Sequence, residues 1–210
     1  MALKRAQKAH GNTADSASIM SSPLFVSLID QLSHLGRCHI LDLGPAIGAN
    51  VEFFGQLHCR LHIADCIGEL AASGRDNDME QSFPERLSNA LPLQDCEPFD
   101  VILTWDLLNY LDKKTFAALM EWLAPVVSGD TYLHGYIASR KQIPLLPNRY
   151  RPVDGNKMQI TPASPDTREC PCYHLMDLRQ LMPQFGVSRS ILLQNGMQEY
   201  LFKGQGRGHR

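Results

Sequence analysis

The stretch CHILDLGPAIGANVEFFGQL, Cys38 to Leu57, constrains this chain more than any other. Cys38 to Leu43 have strand character. Two glycines and a proline then turn the chain, and apolar residues at helical spacing follow from about Ala49 to Leu57. A strand that passes through a glycine turn into a helix leaves the turn backbone open to a ligand. Gly44 and Gly48 carry no Cβ to block that approach. Asp42, at the end of the strand, can organise the turn through backbone hydrogen bonds.

The rest of the chain repeats the alternation. SPLFVSLIDQLSHLG is a helix: Ser22 can cap it, Pro23 suits its first position and Gly36 can end it. RLHIAD is a strand closing on Asp65, followed by the helical stretch IGELAASG. A short strand is expected near Pro84 to Leu87. FDVILTW, Phe99 to Trp105, reads as a buried strand. KKTFAALMEWLAPVV is an amphipathic helix with Phe116, Leu119, Met120 and Leu123 on one side, and DTYLHGYI is a further strand. Residues 139–172 are proline-rich and read as a lid or insertion. HLMDLRQLMPQFG is a helix. Two strand-like runs then flank Asn195-Gly196, the signature of a hairpin with a type I′ turn. Alternating strands and helices imply a parallel sheet covered on both faces.

Composition narrows the function classes. A net charge of -2 gives no global attraction to nucleic acid. No apolar run approaches the roughly 18 residues of a membrane helix. The polar start of the chain lacks a signal-peptide core, which predicts a cytoplasmic protein and mostly free thiols among its six cysteines. CPCYH gathers Cys170, Cys172 and His174 without a second ligand pair, so no metal is expected. Residues 1–21 read as a flexible arm, 22–204 as one domain and 205–210 as a basic tail.

Three ligand classes compete for the turn. A dinucleotide calls for G-x-G-x-x-G, which G-P-A-I-G does not match. A nucleoside triphosphate calls for a lysine after the last glycine, and none follows. A nucleoside without a phosphate to cradle tolerates the looser turn. Asp65, about 23 residues after Asp42, can accept hydrogen bonds from two ribose hydroxyls.

These residues resemble the class I S-adenosylmethionine-dependent methyltransferases. Their D-x-G-x-G-x-G motif corresponds to Asp42-Leu43-Gly44-Pro45-Ala46-Ile47-Gly48, with alanine at the middle glycine, and their ribose-binding acid to Asp65. FDVILTWDLLNYL matches their fourth strand and Ser188 to Lys203 their terminal hairpin, so the resemblance spans Ser22 to Gly204. It implies an α/β fold: a three-layer α/β/α sandwich with a mostly parallel seven-stranded sheet and a C-terminal antiparallel hairpin strand. It also implies S-adenosylmethionine as cofactor, held by Asp42, Gly44, Ala46, Gly48, Asp65, Cys66, Asn89, Trp105 and Asp106. The family's adenine-side acid has no counterpart in RLSNALPL, which offers Ser88 and Asn89.

Methyl transfer mainly requires donor and acceptor in near-attack geometry, assisted by proton removal from the acceptor. Asp106, His134 and Tyr136 are the candidate catalytic residues, at the ends of the fourth and fifth strands of that pattern. The expected acceptor is a small molecule or a protein side chain, with no membrane partner. WDLL in place of a DPPY-like motif argues against nucleic-acid base methylation. A catalytically inactive domain that binds the nucleoside, or a partner, is the alternative.

Overall fold

The computed structural model describes residues 17–65, 83–90, 93, 96–153 and 157–206. Strand β1 (Ser18–Ser21) leads into helix α1 (Pro23–Ser33). Then come β2 (Cys38–Asp42), α2 (Gly48–Gln56), β3 (Cys59–Ile63), α3 (Phe83–Ala90), β4 (Val101–Trp105), α4 (Lys113–Leu123) and β5 (Tyr132–Ala138). Four short strands follow: β6 (Gln142–Pro144), β7 (Arg149–Pro152), β8 (Lys157–Thr161) and β9 (Thr167–Glu169). Helix α5 (Leu175–Leu181) and the hairpin β10 (Phe185–Leu192) and β11 (Met197–Gly204) complete the chain.

The central sheet has the order β10-β11-β5-β4-β2-β3. Strands β3, β2, β4 and β5 run parallel, and β11 and β10 are antiparallel. All five residues of β4 are buried, as expected of a parallel strand covered on both faces. Leu28, Ile40, Phe54 and Leu103 pack on one face with α1 and α2. Leu41, Ile102, Phe116 and Leu119 pack on the other with α3, α4 and α5. Strand order reverses between β3–β2 and β4, so the crevice beyond the carboxyl ends of β2 and β4 is the topological switch point.

The described sheet has six strands where seven were expected. Pro84 to Leu87, expected as a short strand, lies within α3. Proline costs little in a first helical turn, and Glu85 favours that end of the helix. Leu87 is buried while Glu85 and Asn89 are exposed, a helical rather than an alternating pattern.

Two further expectations change. Ser18–Ser21, placed in the flexible arm, pair antiparallel with β8 and form a three-stranded sheet, β1-β8-β7, with part of the proline-rich segment. Four residues carry no local signal for a partner more than a hundred positions away. Cys38 and Cys59 face each other in register on β2 and β3 and form a disulfide, a pair that the expectation of mostly free thiols did not single out, while Cys96, Cys170 and Cys172 are thiols. The hairpin turn closes with the Gly196 N–H on Leu193 O, 3.0 Å, and the Leu193 N–H on Met197 O, 2.8 Å. Only Gly196 takes a positive φ there, +80°, so the turn is not type I′, which needs positive φ at both central residues. Among the described residues, no helix is long and apolar enough to cross a membrane.

Helix α1 is capped from a distance. The Ser22 hydroxyl, expected as its cap, instead donates to Glu199 Oε1 at 2.7 Å and lies 2.7 Å from the Tyr136 hydroxyl. Glu199 Oε1 accepts the Phe25 N–H at 2.8 Å and lies 2.9 Å from His134 Nε2. Burial raises the Glu199 pKa, but the hydrogen bonds from His134, Ser22 and Phe25 outweigh it and hold the carboxyl below its ordinary value. One carboxylate on β11 thereby fixes the start of α1 against β5. Glu199→Ala strands these buried donors and should cost about 3–5 kcal/mol, read as a lowered urea midpoint with unchanged slope.

Candidate functional site

The switch point is built on Asp42. Its carboxyl is buried and accepts the Gly44 N–H at 2.9 Å and the Trp105 indole N–H at 2.6 Å. Burial pushes Asp42 up to about 6, although both hydrogen bonds favour the charged form. The turn after β2 and the end of β4 are thus held by one side chain. Trp105 sits at a register shift in the β4–β5 pairing and has a φ of +48°, uncommon for a residue with a side chain. Gly135 makes room for this bulge, because a Cβ there would collide with Thr104 Oγ1 and press on Trp105 O.

The bulge turns the indole inward. It stacks on Tyr150 at 5.5 Å with 5° between the planes, and Tyr150 stacks on Tyr136 at 5.0 Å. A Cβ on Gly44 would stand 2.6 Å from Trp105 Cδ1. The bare face of Gly44, expected to receive a ligand, therefore receives the indole. Gly48 behaves differently: nothing lies within 4 Å of a Cβ built there.

A cavity of about 630 Å³ lies over the turn. Pro45, Ala46, Ile47 and Gly48 form its floor, and Asp65 lines it just past β3. The far wall comes from the proline-rich segment: Arg149 and Arg151 of β7, with Gln159 and Thr161 of β8. The side-chain amide of Asn50 on α2 donates to Tyr150 O at 3.0 Å and ties β7 to the helix below.

Asp106, immediately after Trp105, lines a second cavity of about 240 Å³ with Asn109, Tyr110, Arg140, Asn148 and others. Its Oδ2 accepts from the Asn148 side-chain amide at 2.6 Å and the Asn148 N–H at 3.2 Å. Among the described residues, Oδ1 has no hydrogen-bond partner. Burial pushes this carboxyl up to about 6 against those hydrogen bonds. Burial likewise raises the Tyr110 phenol, whose hydroxyl donates to Leu146 O at 3.0 Å.

The other sequence candidates are dispersed. His134 and Tyr136 are fully buried and line neither cavity. His134 serves the Glu199 cluster. Burial drives the Tyr136 phenol well above its ordinary value, and its hydroxyl lies 2.7 Å from Ser22 Oγ. Asn89 is exposed on α3 and lines neither cavity. Cys66 lies outside the described residues. The Cys172 thiol faces Arg140 O at 3.3 Å, and His174 stands before α5 with its N–H on Asp177 Oδ2 at 3.1 Å. Gln159, Thr161 and Asn148 were missed by the sequence reading. The alternation in QIT was a signal for Gln159 and Thr161, masked by the surrounding prolines, and nothing local marked Asn148.

No protein-family model matches the sequence, and no curated protein matches it. Solved structures match by shape. Magnesium protoporphyrin IX methyltransferase from Synechocystis PCC 6803, solved with bound S-adenosylmethionine, superposes with a TM-score of 0.51 at 12% identity, over 87% of this chain and 77% of that one. The PH0226 protein of Pyrococcus horikoshii OT3 gives a TM-score of 0.50 at 12% identity, over 87% and 91% of the two chains. The chain shares its fold with the Synechocystis methyltransferase. Within this methyltransferase fold, the glycine turn and Asp65 border one cavity, and Trp105 occupies the space beside Gly44.

Two outcomes check this geometry. Gly44→Ala should displace the indole at a cost of about 1–3 kcal/mol, with a shift in tryptophan emission. Asp106 binds its proton more tightly folded than unfolded. Its contribution is fully present below pH 3.8, the ordinary carboxyl value, and is lost as pH rises through about 6. Asp106→Asn removes that loss, so its stability relative to the parent should rise by up to about 3 kcal/mol between pH 4 and 7, read by denaturant titration.

Proposed function

We propose that this protein binds S-adenosylmethionine in the cavity over Pro45–Gly48 and transfers its methyl group to a small-molecule or protein acceptor. The observation that carries this reading is the cavity itself: it lies at the switch point, Gly48 leaves its floor open, and Asp65 lines it. The residues fit a nucleoside. The Asp65 carboxylate can accept from ribose hydroxyls, and the turn backbone permits close approach at Gly48. The bound cofactor would supply a methyl group on a sulfonium, already carrying its leaving group. The protein's part is then to position and to exclude water.

Asp106 is the residue suited to accept a proton from the acceptor. It is buried, carries an oxygen without a hydrogen-bond partner among the described residues and is pushed up to about 6, within reach of working pH. It follows Trp105 directly and lines the smaller cavity, which suits an acceptor of modest size.

One observation favours a second reading, a nucleoside-binding domain without transferase activity. The indole of Trp105 packs over Gly44, where a donor following that face of the turn would need room.

Calorimetric titration with S-adenosylmethionine and its demethylated product tests the first reading. Both should bind, and Asp65→Ala should weaken them by about tenfold or more, or about 1.4 kcal/mol. No heat and no thermal shift at millimolar ligand would sink the proposal. Binding without transfer across amine, hydroxyl and thiol acceptors would leave the second reading standing.

A further inference from the structure

We propose that Arg149 and Arg151 anchor the anionic end of the nucleoside that occupies the larger cavity, an inference that rests on the nucleoside-binding reading above. The ligand is then a ribonucleoside bearing a carboxylate or phosphate tail.

Strand β7 alternates Arg149, Tyr150, Arg151. Tyr150 is buried in the stack between Trp105 and Tyr136. Side chains alternate across a strand, so fixing Tyr150 inward sends both arginines to the opposite face, and both line the cavity. The Asn50 bond to Tyr150 O and the pairing of β7 with β8 hold that face in place. The guanidinium positions are therefore set by a core contact.

The two arginines also differ from the other arginines of the same segment. Arg140 donates to Asn195 O at 2.9 Å, and Arg168 stands 5.9 Å over the Tyr110 ring. Among the described residues, Arg149 and Arg151 have no hydrogen bond or ion pair from their side chains. Both are exposed to the cavity and its mouth. The floor ends at the N-terminus of α2, whose backbone N–H groups add partial positive charge. Among the described residues, one carboxylate lines the cavity against them, Asp65. The cavity thus offers an acceptor for hydroxyl groups from β3 and two donors for an anion from β7. Arginine forks match the planar carboxylate and the phosphate bidentately.

The amino-acid tail of S-adenosylmethionine carries a carboxylate, and a nucleotide carries phosphate. The two sources are separable by experiment. The full-length chain and its Arg149→Gln/Arg151→Gln double variant are titrated calorimetrically with S-adenosylhomocysteine, adenosine diphosphate and uncharged adenosine. Melting curves confirm that the variant folds, since both substitutions are at exposed positions. The double variant should lose roughly ten- to a hundredfold in affinity for the anionic ligand, as expected for charge-assisted hydrogen bonds, and keep its affinity for adenosine within about twofold. An Arg149→Lys/Arg151→Lys variant should fall between, keeping charge and losing the fork.

Arginine-dependent binding of S-adenosylhomocysteine assigns the carboxylate. Arginine-dependent binding of the diphosphate alone upholds the anchor and overturns the methyl-donor reading. Equal S-adenosylhomocysteine affinity in both proteins, or equal losses for that ligand and adenosine, overturns the anchor and leaves the donor reading intact. If none of the three ligands binds, both fall.

Discussion

The Asp42 carboxylate holds the switch point together. Two donors from different parts of the chain meet on one oxygen: the Gly44 N–H of the turn and the Trp105 indole N–H at the end of β4. Desolvation opposes this arrangement, as the raised proton affinity of Asp42 shows. It persists because the groups around it leave the indole little choice. The left-handed backbone of Trp105 aims it inward, Gly135 leaves room for the bulge, and Tyr150 closes over it. The larger cavity is built beside that contact: its floor begins just beyond Gly44, and its far wall carries Tyr150, stacked on Trp105.

Two other buried carboxylates do comparable work. Glu199 gathers Ser22, Phe25 and His134, locking α1 onto the antiparallel side of the sheet. Asp106 gathers Asn148 from the proline-rich segment. A buried acid needs such partners to remain tolerable, and each of the three joins elements distant in sequence. The proline-rich segment is consequently a built part of the molecule. Strands β7 and β8 join β1 in a small sheet, and one face of it becomes a wall of the larger cavity.

Much of the fold was legible in the sequence. The elements around the glycine turn, the buried character of β4, the start of α1 at Pro23 and the terminal hairpin follow from periodicity and turn chemistry, which are local. The turn as a candidate site, with Asp42 and Asp65 beside it, was legible for the same reason. The features that the sequence did not show share a different cause. His134 and Tyr136 lie on a strand beside the site, but their roles depend on Glu199 and Ser22, more than sixty residues away in each case. The strand character of Ser18–Ser21 depends on β8, and the Cys38–Cys59 bond on the parallel register of two neighbouring strands.

The sequence by itself determined the alternation of strands and helices, the switch-point turn and the carboxylates placed near it, because these follow from patterns within a dozen residues. Only the tertiary structure decided what the turn faces. Gly44 is bare in either case, but whether its open side meets solvent, a ligand or Trp105 depends on a bulge one strand away. Which arginines face the cavity depends in turn on Tyr150 finding its place in the aromatic stack. Such outcomes are set by which distant surfaces are pressed together, and burial decides them only once the chain has closed on itself.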